Sequence, residues 1–423
     1  MLKRVLRNFG VVLGGRGIAA VFSVGATGLM ANALSATEFG LVILVHTYML
    51  VVRGVLNFQT VDAVVRFGIP FVQNAQDSEL RSLLRSTLMV DIVAAVAAML
   101  AAMIAATFAA RYLHWEAGME QWAVLYSVII LATANGTSNG ILRIYDRFDA
   151  LSVQFAVGPA LRFTGVALAW ALDAPMFVFL IAWGLAFTAG HIYLLLRGLV
   201  ELRKHLGTGL WDGFRWNEVR ERDRDFWNFI GVVYWQTNID LLPKHVSTLL
   251  AGSLLGPAAA GLFRLAREFS TVLTQPAVML REVLFPDLAR SFHADDGGIR
   301  SVPFKTALIA GAVGLAFVVL SVFIGPPVLA IIGEEYVAAA SLLTLLLLAA
   351  AFDLSSASLR AAAYAMGRAS SILRIHFLSI TTYIVAFFAL TPSIGLTGPG
   401  YAAILGSLLA LVLSGRLIAK NRN

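Results

Sequence analysis

The chain has no cysteine and little charge. With no Cys among its 423 residues, it offers no disulfide framework, no thiolate metal site and no cysteine nucleophile. Charged residues make up only 13% of it, against about 25% in soluble domains. Hydrophobic residues reach 59% and the mean hydropathy is +0.79, which is the composition of a membrane protein. The formal net charge of +7 reflects topology rather than nucleic acid, because polytopic proteins collect Lys and Arg in cytoplasmic loops. No nucleic-acid partner is expected. Signatures of catalysis are missing too. There is no Walker loop, no HExxH and no pair of carboxylates on an outer loop, and the seven His show no metal-ligand spacing. "GGRG" at 14–17 is too short for a phosphate loop and lies inside a span. "DRFD" at 146–149 reads as a membrane-flanking charge cluster rather than an acidic metal site. Neither an enzyme nor a cofactor is expected.

What the chain has in abundance is long apolar segments. A spanning helix needs about 20 mostly apolar residues. Twelve segments qualify, at 9–33, 40–62, 86–110, 120–141, 151–171, 175–197, 227–250, 256–280, 304–324, 337–359, 371–391 and 396–416. The fourth, ending in "ATANGTSNG", is the most polar. The first resembles a signal peptide, with a basic start and "ANA", but Arg16 interrupts its apolar run and its length suffices to span. With the N-terminus inside, 25 Lys and Arg fall on inner segments and only Arg111 on an outer loop. That bias puts both termini in the cytoplasm. Tyr112, Trp115 and Trp122 fit an outer aromatic belt, and Trp211, Trp216 and Trp227 an inner one.

The two halves resemble each other. "RNFGVVLGG" opens the first span and "WNFIGVVYW" the seventh. "ALSATEFGLV" matches "LLGPAAAGLF" one helix later, with Gly40 opposite Gly261. An even number of spans per half gives both halves the same orientation, so the repeat predicts two lobes related by an axis along the membrane normal. The expected fold is all-α and polytopic, about 12 transmembrane helices in two pseudo-symmetric six-helix lobes around a central cavity. Residues 1–200 form the first lobe, 201–226 a cytoplasmic interfacial linker and 227–423 the second lobe. The linker reads equally as a surface helix or a solvated connection.

Six bases, Arg16, Arg53, Arg162, Lys244, Arg264 and Arg267, lie within spans. Each costs about 2.5–3.5 kcal/mol at a helix centre, so they are expected to face a cavity or reach an interface. A helical period places His46, Leu50, Arg53, Asn57 and Thr60 on one face of the second span. The same period aligns Arg264, Arg267, Glu268, Thr271 and Gln275 in the eighth, and Arg16, Ala20, Ser23 and Thr27 in the first. "QTNIDLLPKHV" in the seventh brings Gln236, Asp240 and Ser247 together with Lys244 nearby, and Pro243 to bend the helix. These stripes point to a water-filled cavity, with Arg16, Arg53, Lys244, Arg264 and Arg267 as its cations. Asp240, Glu268 and Asp353 are candidates for binding a coupling proton or sodium ion. Plainer readings compete: Asp240 and Lys244 neutralise each other, Arg162 pairs within one lobe, Asp353 pairs with Arg360, and small-residue stripes mark tight packing.

Several motifs resemble a known family. "ALSATEFGLVIL", "IDLLPKHVSTLLAGSLLGPAAAGLFRLAREFSTVL", "LREVLFPDLARSF", "AAYAMGRASSIL" and "IGLTGPGYAAILG" are similar to segments of the oligosaccharide flippases in the multidrug/oligosaccharidyl-lipid/polysaccharide exporter superfamily. The resemblance implies a multi-pass protein of the bacterial inner membrane. Such a protein moves polyprenyl-pyrophosphate-linked glycans from the inner to the outer leaflet, for O-antigen, capsule or exopolysaccharide. It implies that the five cavity cations hold the pyrophosphate while the lipid tail stays among membrane lipids, and that glycosyltransferases and a polymerase act beside it. Three rivals remain, beside a non-transporting membrane scaffold, for which cations within the spans would be costly. A multidrug/cation antiporter needs an acid-dominated cavity. A lipid II flippase has fourteen spans rather than twelve. A membrane glycosyltransferase or polymerase needs a large outer loop or interfacial catalytic acids.

Overall fold

The computed structural model describes residues 2–113, 115, 118–212, 224–241, 245–271, 302–366 and 368–419. Among them the chain is all-α. Its helices are α1 (Leu2–Ala33), α2 (Ala36–Val55), α3 (Thr60–Gln73), α4 (Asp77–Tyr112), α5 (Met119–Tyr126), α6 (Gly136–Ile144), α7 (Phe148–Ala171) and α8 (Met176–Leu206). They continue with α9 (Arg224–Leu241), α10 (Ser247–Leu255), α11 (257–271), α12 (Val302–Ile332), α13 (Ala340–Ala365), α14 (Ala369–Ile394) and α15 (Gly398–Ala419). Seven helices among the described residues are long and apolar enough to cross a membrane, and the chain is a polytopic membrane protein. Large apolar side chains stand exposed along them, such as Leu308, Val319, Phe323 and Ile331 on α12, as a surface solvated by lipid requires.

Among the described residues, two of the apolar segments break into separate helices. The second breaks between α2 and α3. There Asn57 Oδ1 accepts the Gln59 N–H at 3.1 Å, and Gln59 adopts a left-handed backbone with φ 49°. This short side-chain turn competes with the helix. The fourth is α5, a 3-10 stretch (Ser127–Thr133) and α6, parted at Ala134 and Asn135. The helical period drawn through His46, Arg53, Asn57 and Thr60 therefore fails after Val55, because it assumes one unbroken helix.

The chain forms two compact units, one of residues 1–34 and 41–249, the other of 35–40 and 250–423. In the first, α1 lies along α7 and α7 along α8. Gly15 meets Ser152 and Gly25 meets Phe163 with no room for a side chain at either glycine. One end of the unit has a core of Val64, Leu80, Leu83, Leu84, Ile141 and Leu206 with Phe226 and Ile230 of α9. Aromatic contacts fix α9 there: Phe67 lies 5.8 Å from both Phe226 and Phe229, and Phe58 stacks on Tyr234 at 5.1 Å. At the same end, Arg81 donates to the carbonyls of Leu206 and Gly209 and Arg85 to that of Asp212, holding the segment that follows α8. Of the expected linker, residues 213–223 lie outside the described residues. Arg147, in the "DRFD" stretch, pairs with Asp149 at 2.9 Å and Glu201 at 2.5 Å. The hydrogen bond to Asp149 raises the pKa of Arg147 above the usual arginine range.

In the second unit α12 packs on α13, and α15 packs on both α13 and α14. The start of α2 is held there. The Ala36 N–H donates to Glu335 Oε1 at 2.9 Å, and the buried rings of Phe39 and Tyr336 meet edge to face at 5.8 Å. Gly40 and Gly261, equivalent in the sequence repeat, touch one another. A Cβ on Gly261 would stand 3.1 Å from the Gly40 Cα, and one on Gly40 would stand 1.9 Å from the Pro257 carbonyl oxygen. Backbone, not a movable side chain, blocks the second position. We therefore expect Gly40→Ala to lower stability by about 1–3 kcal/mol, seen as a lower melting temperature in detergent. An unchanged melting curve would show that this contact is dispensable.

Candidate functional site

The first unit is organised around a carboxylate that the sequence reading passed over. Asp91 lies in α4, within the apolar stretch "STLMVDIVAAVAA", and it is buried. Its Oδ1 accepts the Thr60 hydroxyl at 2.5 Å. Its Oδ2 accepts the Thr137 N–H at 2.7 Å and the Thr137 hydroxyl at 2.6 Å. All three groups donate, so the arrangement suits the ionised acid. Thr60 and Thr137 occupy the first turns of α3 and α6, where unpaired N–H groups and the helix dipole favour an anion. Gly136 is required here, since a Cβ would lie 2.2 Å from Thr60 Oγ1 and 2.9 Å from Asp91 Oδ1. Both helix breaks thus converge on one buried charge, and the polar end of the fourth span is polar because it binds that charge.

Arg53, in the last turn of α2, supplies the opposite charge. It is close enough to Asp91 and to His191 of α8 to act on both electrostatically. Its Nε is buried and has no hydrogen-bond partner among the described residues. His191 Nδ1 accepts from Asn135 Nδ2 at 2.7 Å, which leaves Nε2 to carry the ring proton.

A cavity of about 260 Å³ opens beside this group, walled by α1, α2, α7 and α8. Arg162 of α7 reaches into it, donating from Nη2 to Ser23 Oγ at 2.6 Å and lying 4.3 Å above the Trp183 ring. This stacking stabilises a cation through the ring's negative face. His46 lines the same cavity and meets Tyr126 Oη through Nδ1 at 2.8 Å. No carboxylate is among the described lining residues.

In the second unit, α11 carries Arg264, Arg267 and Glu268. Arg264 pairs with Glu268 at 3.1 Å one turn on. Arg267 has Nη1 buried without a hydrogen-bond partner among the described residues. Asp353, on an exposed position of α13, interacts with Arg360, the Ser407 side chain and His376.

Of the expected cations, Arg53 acts electrostatically on Asp91 and His191 in the first unit but is not among the cavity's described lining residues, and Arg264 and Arg267 share α11 in the second. Arg16 stands on an exposed position of α1, 5.2 Å above the Phe155 ring. Lys244, Pro243 and Gln275 lie outside the described residues, as does the side chain of Asp240. Asp91, Tyr126, Asn135 and His191 were not foreseen. For Asp91 the signal was present, since an acid in mid-span carries the same functional presumption as Arg53.

No model of a known protein family matches the chain. The inner membrane protein YghQ of Escherichia coli (strain K12) is 28% identical over 350 residues, covering 81% of this chain and 96% of that protein. A multidrug resistance MATE family transporter of the MOP superfamily, in an inward-facing conformation, aligns with a TM-score of 0.68 at 14% identity, covering 97% of this chain and 95% of that one. The lipid II flippase MurJ, inward closed, aligns at 0.66 and 13% identity, covering 96% and 87%. The chain thus has the fold shared by MATE transporters and MurJ.

Removing the Asp91 carboxylate would leave three donors and a guanidinium uncompensated. We expect Asp91→Ala to cost about 3–5 kcal/mol, and Asp91→Asn, which keeps the shape, to cost less. Thermal unfolding followed by size-exclusion chromatography measures both. A wild-type melting temperature for Asp91→Ala would show that the acid does not anchor the two broken helices.

Proposed function

We propose that the chain moves a polyprenyl-pyrophosphate-linked oligosaccharide from the inner to the outer leaflet of a bacterial inner membrane by alternating access, with both termini in the cytoplasm. The supporting observation is a pair of half-buried arginines, Arg53 in the first unit and Arg267 in the second. Each keeps one nitrogen without a hydrogen-bond partner among the described residues. A buried unsatisfied donor costs about 1–3 kcal/mol, more when charged, so a site that retains one is suited to a ligand that supplies the acceptor. Phosphate oxygens match the guanidinium fork. Arg16, Arg264 and Lys244 complete the proposed set of cations, and Asp240, Glu268 and Asp353 stay as candidates for ion coupling. The lipid substrate in the name of MurJ and the membrane in the name of the E. coli protein agree with this reading. In it, residues 1–200 and 227–423 form the two six-helix lobes, and glycosyltransferases and a polymerase act on either side of the transfer.

Cation antiport is the second reading, because MATE transporters share the fold. The buried acid of the first unit suits it poorly. Asp91 already accepts three hydrogen bonds and lies within electrostatic reach of Arg53.

The test is leaflet transfer of a fluorescent polyprenyl-pyrophosphate glycan in vesicles containing the purified protein. Arg53→Ala and Arg267→Ala should each slow transfer about tenfold or more, with partial recovery in the Lys variants. Wild-type rates in both Ala variants, or transport of ethidium in place of the lipid, would reject the assignment.

A further inference from the structure

The end of the first unit where α7 starts and α8 finishes carries a band of paired charge. Glu201 contacts Arg147 at 2.5 Å, His205 at 3.3 Å and Lys204 at 3.4 Å, and Asp149 holds Arg147 from its own helix at 2.9 Å. Arg197, one turn earlier on α8, joins none of these pairs. Its Nε is enclosed without a hydrogen-bond partner, and no acid pairs with it, among the described residues. Glu201 is within a turn, but three other bases already occupy it.

The place of Arg197 decides what can reach it. Gly190 touches Gly158, Leu194 shares a buried cluster with Leu151, and Glu201 bonds Arg147. The stripe 190, 194, 197 and 201 of α8 therefore runs along α7, and Arg197 stands at the seam between the two helices. Its side chain is half-buried, so part of it stays open to the surface while Nε is enclosed. The surface beside it is apolar: Leu196 and Val200 on α8 and Val153 on α7 are exposed. A helix rises about 1.5 Å per residue, which puts Arg197 about 32 Å along α8 from Met176, and the hydrocarbon core of a bilayer is about 30 Å thick. That depth is the level of lipid phosphates. The band of paired charge, one turn further on, marks the same boundary.

We propose that the α7–α8 seam binds one phospholipid of the surrounding leaflet. Arg197 donates to its phosphodiester oxygens, which the guanidinium fork matches, and Val153, Leu196 and Val200 meet its acyl chains. Enclosure of Nε leaves little rotamer freedom to be lost on binding. Such a lipid is a resident of the fold rather than a cargo, so the site stands whatever the protein transports.

The experiment is binding of tritiated dioleoyl-phosphatidylglycerol to the full-length protein in detergent micelles, read by scintillation proximity. Saturable binding is expected, displaced by the unlabelled lipid. Dioleoylglycerol, which lacks the phosphate, and inorganic phosphate, which lacks the chains, should not displace it. Arg197→Gln should weaken binding about tenfold or more, the loss of one charge-assisted contact, and Arg197→Lys should restore part. Arg203→Gln removes the same charge from an exposed position in the last turn of α8 and should leave binding unchanged. Leu196→Glu should weaken it by setting a like charge beside the phosphate, which keeps the test decisive if Arg197→Gln does not fold. Displacement by dioleoylglycerol would show a merely apolar seam, and displacement by inorganic phosphate a site for free anions. Equal losses in Arg197→Gln and Arg203→Gln would show diffuse attraction to a basic surface. Each of these results would overturn the proposal, as would unchanged affinity in the folded Arg197→Gln or Leu196→Glu protein.

Discussion

A charge inside a membrane has to be matched, and the described interior follows from how each one is. Asp91 takes three donors and lies within electrostatic reach of Arg53. Arg162 donates to Ser23 and lies over the Trp183 ring. Arg264 is neutralised by Glu268 one turn along its own helix. Arg53 and Arg267 each keep a buried nitrogen for which no described residue provides an acceptor. In hydrocarbon such a group is expensive, so its persistence is the strongest physical argument for a ligand.

The same constraint explains the broken helices. Backbone groups freed in a membrane must find partners inside the protein. Here the Asn57 side chain takes the Gln59 N–H, and Asp91 takes that of Thr137. One carboxylate holds the first turns of α3 and α6 together, while Gly136 gives it space to approach. Arg53, in the last turn of α2, acts electrostatically on that carboxylate. Sequence, backbone irregularity and electrostatics meet at this point of the first unit.

Much of this was legible in the sequence. Apolar length located the helices, because hydrocarbon thickness imposes it. The cost of a base within a span singled out Arg53, Arg264 and Arg267, which are half-buried here, and equally Arg16, which stands exposed; the repeat marked Gly40 and Gly261, whose backbones meet. The stripe from His46 to Thr60 misled, because a two-residue Asx turn is a local event that no hydrophobic period reports. Asp91 went unnoticed among aliphatic neighbours, although its cost is of the same kind as that of the arginines. The cavity could not be read at all, since Ser23, His46, Gln154, Arg162 and His191 come from four helices and their meeting is a tertiary fact. Lys244 and the Asp240 side chain lie outside the described residues, so their expected roles rest on sequence alone.

The central claim is that the buried guanidinium groups serve an anion. Native mass spectrometry of the protein released from detergent tests it directly, with polyprenyl pyrophosphate and a lipophilic drug cation offered together. The account predicts a retained pyrophosphate lipid that excess inorganic pyrophosphate displaces and the cation does not. Retention of the cation, with the pyrophosphate lipid lost like any bulk phospholipid, would contradict it.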